Sequence, residues 1–330
     1  MPAPLLLLLA LSASPGLLLT ETRPVFGSLA AVTVPAGDRA RARVAVEAAF
    51  AQLDRVDWAM NEWRSDSPLS LLNAAAGRGW VTLPADLCGV LSTALDGARR
   101  TGGLFDPTWA ALSDLWRFDG TGTVPSPEAL RARCPLVGYG GLELRPAPGG
   151  GCAARLVRAG MRVGLGGIAK GHALDAAARA LRALGFRDFL LQAGGDLYAA
   201  GRRAGGPWRV SVSDPRAPGR AIAALDVSDE AFSTTADTEH AFEEGGRRLH
   251  HVIDPRTCAP ATASRSVTVL ARNAVDAEIV GKAAFVAGGR EALEIARAFG
   301  AAILVVDGEG EAWASPEIEA RLRPAAPAPP

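Results

Sequence analysis

The chain has 330 residues, 48% of them hydrophobic, and its 35 Lys+Arg balance 35 Asp+Glu. That length suffices for one large domain or two modest ones with a substantial core. Zero net charge excludes the field that draws a chain to nucleic acid or an anionic membrane, so no nucleic-acid partner is expected.

Residues 1–22 open with a leucine run followed by the small residues Ser12, Ala13 and Ser14, the form of a secretory leader and its cleavage zone, although no Lys or Arg precedes the run. The expectation is an exported, periplasmic or cell-envelope protein, or a cytoplasmic one if this segment is not a leader. The run is too short and too broken for a membrane span and no later segment matches one, so no transmembrane domain is expected in the mature chain. "VFGSLAAVTV" reads as a first strand and "GDRARARVAVEAAFAQLDRVDWAMNEW" as a long helix with apolar residues at helical spacing. "SDSPLSLLNAAAG" reads as a short helix capped by Ser65 or Asp66, and "PADLCGVLSTALDGARRTGG" as a second long helix begun by Pro84 and stopped by glycines. A loop and short helix follow in "FDPTWAALSDLWRF", then a surface linker in "DGTGTVPSPEA".

Beyond the linker, "LELRPAPGGGCAARLVRAGMRVGL" alternates like short antiparallel strands around a glycine turn, and "AKGHALDAAARALRALG" is a helix ended by Gly185. "DFLLQAGGDLYAAG", "WRVSVSDP", "AIAALDVSDEAFSTTA", "LHHVIDP" and "SVTVLA" are strands and loops; two helices and a closing hairpin, "AAILVVDGEGEAWAS", complete the pattern. Strands gather in the second half without strict βαβ alternation, so the fold class is α+β. A single domain over residues 23–315 is expected, then an Ala/Pro-rich disordered tail at 316–330. Cys88, Cys134, Cys152 and Cys258 lack the spacing of a zinc knuckle or redox pair. Buried thiols are the plain reading, and a Cys134–Cys152 disulfide is the alternative in an oxidising compartment.

"RVGLGGIAKGHALD" carries Gly164, Gly166 and Ala169 at the spacing of a dinucleotide fingerprint, with Asp196 beyond the next strand. The arginine-rich segment before it is unlike a central parallel strand, which should be apolar throughout. Phosphate recognition without a Rossmann fold is therefore the preferred reading, and a purely structural turn stays open. Glycines before a helix N-terminus let N–H groups approach a phosphate, and Lys170 adds a cation there. "HHVIDPRT" places His250 and His251 side by side, and in a strand only one of them can face a given site. Asp254 is either a turn cap or the carboxylate that orients a histidine.

In order along residues 25–306, "FGS", "NEWRSDSPLSLLN", "GGLFDPTWAALSDLW", "GLGGIAKGHALD", "LLQAGGDLYAAG", "FSTTADTE", "HHVIDPRT" and "SVTVLA" resemble the FAD:protein FMN transferase (ApbE) family. The resemblance implies a T-fold-like single domain of antiparallel strands with packed helices. It implies transfer of FMN from FAD to a Ser or Thr hydroxyl of an acceptor protein with release of AMP, generally with Mg²⁺. The implied acceptor is a membrane-associated electron-transfer subunit. Carried over by position, Gly166, Gly167 and Lys170 meet the pyrophosphate. Gly27, Ser28, Phe105, Asp106, Pro107, Thr108, Asp196, Ser233, Thr234 and Thr235 shape the FAD pocket. His251 is the implied catalytic histidine, with His250 second and Asp254 beside them, and Ala169 offers its carbonyl to the metal.

The chain departs from that pattern. Gly164 stands where an acid is usual, and Cys258 where a glycine is usual. Glu278 and Lys282 stand where the family has a metal-binding Asp and Thr. An ammonium has no lone pair to give a metal. Three readings stay open: a surface Glu278–Lys282 ion pair at i,i+4, Lys282 as a metal substitute in an active enzyme, or a non-catalytic FAD-binding accessory protein that has lost the metal site.

Overall fold

A computed structural model describes residues 17–118, 122–149, 151–203, 206–217 and 219–325. Its frame is an eight-stranded sheet of β1 (Leu18–Val25), β2 (Ser28–Pro35), β3 (Phe189–Ala193), β4 (Asp196–Ala200), β5 (Glu230–Ala236), β6 (Ser264–Ala271), β7 (Ala302–Asp307) and β8 (Ala312–Ala314). The strands lie in chain order, and every neighbouring pair is antiparallel. A dinucleotide fold needs a parallel sheet, so the Rossmann reading of the glycine fingerprint is excluded. The architecture is the expected α+β one.

"VFGSLAAVTV" is not one strand. Val25 ends β1, Phe26 and Gly27 turn the chain with φ of 56° and 67°, and Ser28 begins β2. Two successive positive φ values make the tight hairpin turn whose twist matches its strands. β1 begins at Leu18, so the leader boundary placed at residue 22 falls inside a paired strand; residues 1–16 lie outside those described.

The helices are α1 (Arg39–Met60), α2 (Pro68–Ala74), α3 (Ala85–Arg100), α4 (Pro127–Arg133), α5 (Ala169–Ala183), α6 (Ala274–Ala287), α7 (Gly289–Ala298) and α8 (Pro316–Glu319). Asp38 caps α1 by accepting from the Ala40 and Arg41 N–H groups. Ser67, not Ser65 or Asp66, caps α2: Pro68 occupies the first helical position, and the Ser70 N–H bonds the Ser67 hydroxyl. Side chains alternate across the sheet. Phe189, Leu191, Val267 and Val269 face α1, α5 and α6, while Leu190, Leu197, Phe232 and Leu270 face a second layer. That layer is a three-stranded sheet of Trp208–Ser213, Ala221–Val227 and Leu322–Arg323. Each fully buried Phe or Leu contributes about 1.5–3 kcal/mol, so both faces hold the sheet.

The tail does not start at 316. α8 and the strand Leu322–Arg323 follow that point, and Ile318 is fully buried against the second layer because its helix supplies an apolar anchor. Residues 326–330 lie outside those described. Disulfides join Cys88 to Cys152 and Cys134 to Cys258, with Cα separations of 5.8 and 5.9 Å. Neither the plain reading of four buried thiols nor the alternative Cys134–Cys152 pair holds, because all four cysteines are bonded and with other partners. α3 sets Cys88 against the strand Cys152–Leu156, whereas Cys134 packs beside the "PRTC" turn.

Candidate active site

The site forms where the N-termini of α5 and α6 meet the sheet. Gly171 lets the two helices touch: a Cβ there would lie 2.5 Å from the Ala274 carbonyl oxygen. Asp175, in the second turn of α5, accepts from the Ala274 and Val275 N–H groups at 2.9 and 3.1 Å and so adds to the Asn273 cap of α6. This junction brings Lys170, Glu278 and Lys282 to one place.

Four charged groups assemble there. Lys170 pairs with the Asp196 carboxylate at the start of β4. The Ser233 hydroxyl donates to Asp196 Oδ1 at 2.5 Å. Glu278 Oε2 accepts the Gly171 N–H at 2.6 Å, while Oε1 is buried without a hydrogen-bond partner. Lys282, one turn further along α6, donates to Thr235 Oγ1 at 2.9 Å. Burial disfavours the Lys170 ammonium, but the charges of Asp196 and Glu278 outweigh it and raise its pKa. Burial likewise works against the Asp196 carboxylate, and Lys170 and Lys282 reverse this and lower its pKa. For Glu278, burial and the Asp196 charge win over the two lysines, so its pKa is raised.

The surface ion-pair reading of Glu278 and Lys282 fails, because Glu278 is 0% exposed and Lys282 reaches Thr235. α6 is apolar on nearly every side and lies in the core.

The remaining candidates divide by where their side chains point. Ser28 lies against the β3–β4 turn, where a Cβ on Gly194 would sit 3.5 Å from Ser28 Oγ and 3.7 Å from Lys170 Nζ, whereas a Cβ on Gly27 would meet nothing within 4 Å. The Gly166–Gly167 turn is open at Gly166, and a Cβ on Gly167 would stand 3.7 Å from both Lys282 Cγ and a Phe105 ring carbon. Ala169 is the first residue of α5. Ser233 and Thr235 face the cluster from a strand, not from a loop. Thr234 points to the opposite face and pairs with Thr268 at 3.1 Å, as strand alternation requires.

Asp106 and Thr108 serve the scaffold. Asp106 Oδ1 accepts the Thr108 N–H and hydroxyl at 2.8 and 2.6 Å, and Oδ2 accepts the Tyr139 N–H. Thr108 Oγ1 in turn accepts the Gly138 N–H. Both side chains are buried and spent on these bonds. The Pro107 carbonyl accepts the Gly164 N–H at 2.8 Å and fixes the glycine loop.

The two histidines separate, but not by strand alternation: His250 ends the strand Arg247–His250, and His251 follows it in a bend. His250 is 2% exposed; its Nε2 bonds the Ala261 carbonyl at 2.8 Å and its Nδ1 accepts the Val252 N–H. Both ring nitrogens are engaged by backbone, which removes His250 as a proton acceptor. His251 Nδ1 lies 2.9 Å from the Glu239 carbonyl oxygen. A carbonyl only accepts, so Nδ1 carries the proton and Nε2 keeps its lone pair. Burial, followed by the charges of Lys282, His240 and His250, pushes the His251 pKa down to about 3 against the Glu239 hydrogen bond. Asp254 orients neither histidine: its carboxylate is held by the Arg256 N–H and guanidinium at 2.8–3.3 Å, closing the turn before Cys258.

Sequence reasoning missed Glu62, Asp175 and His240. Glu62 Oε2 is buried without a partner and lies 2.9 Å from where a Gly164 Cβ would be. Burial pushes its pKa up to about 7, opposed by the Arg162 charge. Its signal was the missing acid at Gly164, which leaves room for another carboxylate. The His240 ring meets His251 edge-on at 5.4 Å.

The implied Mg²⁺ does not fit these residues. Magnesium demands near-octahedral oxygen ligands. Here Asp196 is already held by Lys170 and Ser233, and an ammonium stands at Lys282. Among the described residues, no group of three His, Cys, Asp or Glu side chains converges.

The model of the ApbE family matches residues 26–305. The FAD:protein FMN transferase of Rhodobacter capsulatus is 35% identical over 311 residues, 92% of this chain and 58% of that protein's length. That of Treponema pallidum is 33% identical, over 79% of this chain and 76% of its own. The crystal structure of the ApbE protein of Thermotoga maritima superposes with a TM-score of 0.84 at 28% identity, covering 93% of this chain and all of that one. The apo Pseudomonas stutzeri flavinyl transferase ApbE gives 0.81 at 26% identity, covering 94% of this chain and 98% of that one. With its antiparallel sheet, glycine–lysine turn and family match across most of its length, this chain belongs to the ApbE family.

Proposed function

We propose that the chain is an FAD:protein FMN transferase, moving FMN from FAD to a Ser or Thr hydroxyl of an acceptor protein. The observation that carries this reading is the convergence of the Gly166–Gly167 turn, two lysines and a histidine with one free ring nitrogen. The open glycine turn at the start of α5 presents N–H groups to a pyrophosphate. Lys170 and Lys282 offset charge that builds on the phosphoryl oxygens. His251 Nε2 takes the proton of the attacking hydroxyl. The acceptor oxygen then bonds the FMN phosphorus while the bond from that phosphorus to the oxygen bridging to AMP breaks, and AMP leaves. No metal ion enters this scheme.

The acceptor is a membrane-associated electron-transfer subunit met outside the cytoplasm. Two disulfides suit an oxidising compartment, and no helix among the described residues is long and apolar enough to cross a membrane. The test is intact-mass analysis of a flavin-acceptor domain incubated with the chain and FAD. A mass gain of one FMN with matching AMP release is expected. FAD binding with an unchanged acceptor mass would instead identify a non-catalytic flavin-binding protein.

A further inference from the structure

The site raises a question that its fold does not answer: what supplies positive charge to the pyrophosphate when the donor set is wrong for a divalent cation. Lys170 and Asp196 cancel each other, and burial together with the Asp196 charge favours the protonated form of Glu278, so without position 282 these side chains carry no net positive charge to meet a pyrophosphate. A threonine at position 282 would leave that charge for a metal to supply. The lysine supplies it from within the protein. It is also fixed: Thr235 holds its ammonium from β5, and its stem lies beside the Gly167 backbone. Glu278 in turn is tied to the α5 N-terminus through the Gly171 N–H. A divalent cation placed among these groups would meet an ammonium where it needs a ligand, at short range and away from bulk water.

We propose that Lys282, steadied by Thr235, replaces the divalent cation, so that this chain binds FAD by fixed side-chain charge and works without Mg²⁺. The proposal rests on the transferase reading above, and it makes Lys282 a binding residue for the pyrophosphate. Replacing a metal by an ammonium has consequences separate from turnover. FAD affinity should be indifferent to chelation, and paramagnetic Mn²⁺ should find no site. Restoring a threonine should bring a metal requirement with it.

The experiment measures FAD binding by flavin fluorescence, in EDTA and in millimolar Mg²⁺. Mn²⁺ binding to the chain with FAD is followed by electron paramagnetic resonance, for the wild type and for Lys282→Thr combined with Glu278→Asp. The wild type should bind FAD with affinities within about twofold in the two conditions and leave Mn²⁺ free. The double variant should bind FAD at least tenfold more weakly in EDTA, recover with Mg²⁺, and capture Mn²⁺. Wild-type FAD affinity that falls tenfold on chelation, or tight Mn²⁺ uptake by the wild type, overturns the proposal and leaves the transferase reading intact. Absence of FAD binding under both conditions overturns both. The wild-type arms stand even if the variant misfolds.

Discussion

At the scale of residues, neighbouring histidines with the same chemistry have opposite fates. His250 spends both ring nitrogens on the backbone, and His251 spends one. Replacing His251 by Asn should lower the rate of acceptor flavinylation by roughly 10²–10⁴-fold, the worth of a positioned base, while FAD affinity changes little. Replacing His250 by Ala leaves the Ala261 carbonyl and the Val252 N–H without partners. It should cost about 1–3 kcal/mol of stability with the rate per folded molecule largely kept. Single-turnover rates beside thermal melts separate the two, and a rate loss confined to the His250 variant would reverse the assignment. Because the His251 pKa is pushed down to about 3, its Nε2 stays unprotonated as pH falls through the usual histidine range near 6.5. The rate should therefore not follow an ordinary histidine titration between pH 8 and 5.

At the scale of elements, the junction of α5 and α6 holds the site together through a glycine. Gly171 is not needed for its φ; a side chain there would strike the Ala274 carbonyl at 2.5 Å and Glu278 Oε2 at 2.7 Å. Gly171→Ala should push the helices apart and cost about 1–3 kcal/mol. Weaker FAD binding should accompany the loss, because Lys170 and Lys282 ride on those two helices. A melt and a flavin titration on one sample check both, and an unchanged melting point would mean that the helices yield freely. This junction also marks how far the sequence was readable. Backbone-directed motifs, such as the glycine–lysine turn and the helix ended by Gly185, were legible because glycine there answers a local geometric demand. What depended on distant strands was not. Thr234 reads as one of three hydroxyls until the sheet turns it away, and Cys134 finds its partner only through packing beside Trp116. Glu278 and Lys282 imitate a surface pair at i,i+4, yet the nearly continuous apolar run around them was a sign of a core helix.

At the scale of the whole molecule, folding sets half-buried acids and half-buried histidines against each other. Burial pushes Glu62 up to about 7 and Asp175 up to about 6. A raised acid gives stability that is complete below its unfolded value of about 4.5 for Glu and is lost as pH climbs through the folded value. Burial pushes His172 down to about 4 and His251 down to about 3. A depressed histidine gives stability that is complete above about 6.5 and is lost as pH falls toward the folded value. Between about pH 4.5 and 6 the contributions of these four groups oppose each other. Removing one acid should tilt the balance. Glu62→Gln abolishes a contribution that is lost on the alkaline side while keeping the volume of the side chain beside Gly164. Relative to the wild type, the variant should therefore gain about 1–3 kcal/mol at pH 8 compared with its standing at pH 5. Urea unfolding at the two pH values measures this difference directly, and whatever the Gln amide itself costs cancels between them. Equal displacement at both pH values would show that Glu62 ionises in the folded chain as it does in the unfolded one, and the opposite sign would show that a cation holds its carboxylate.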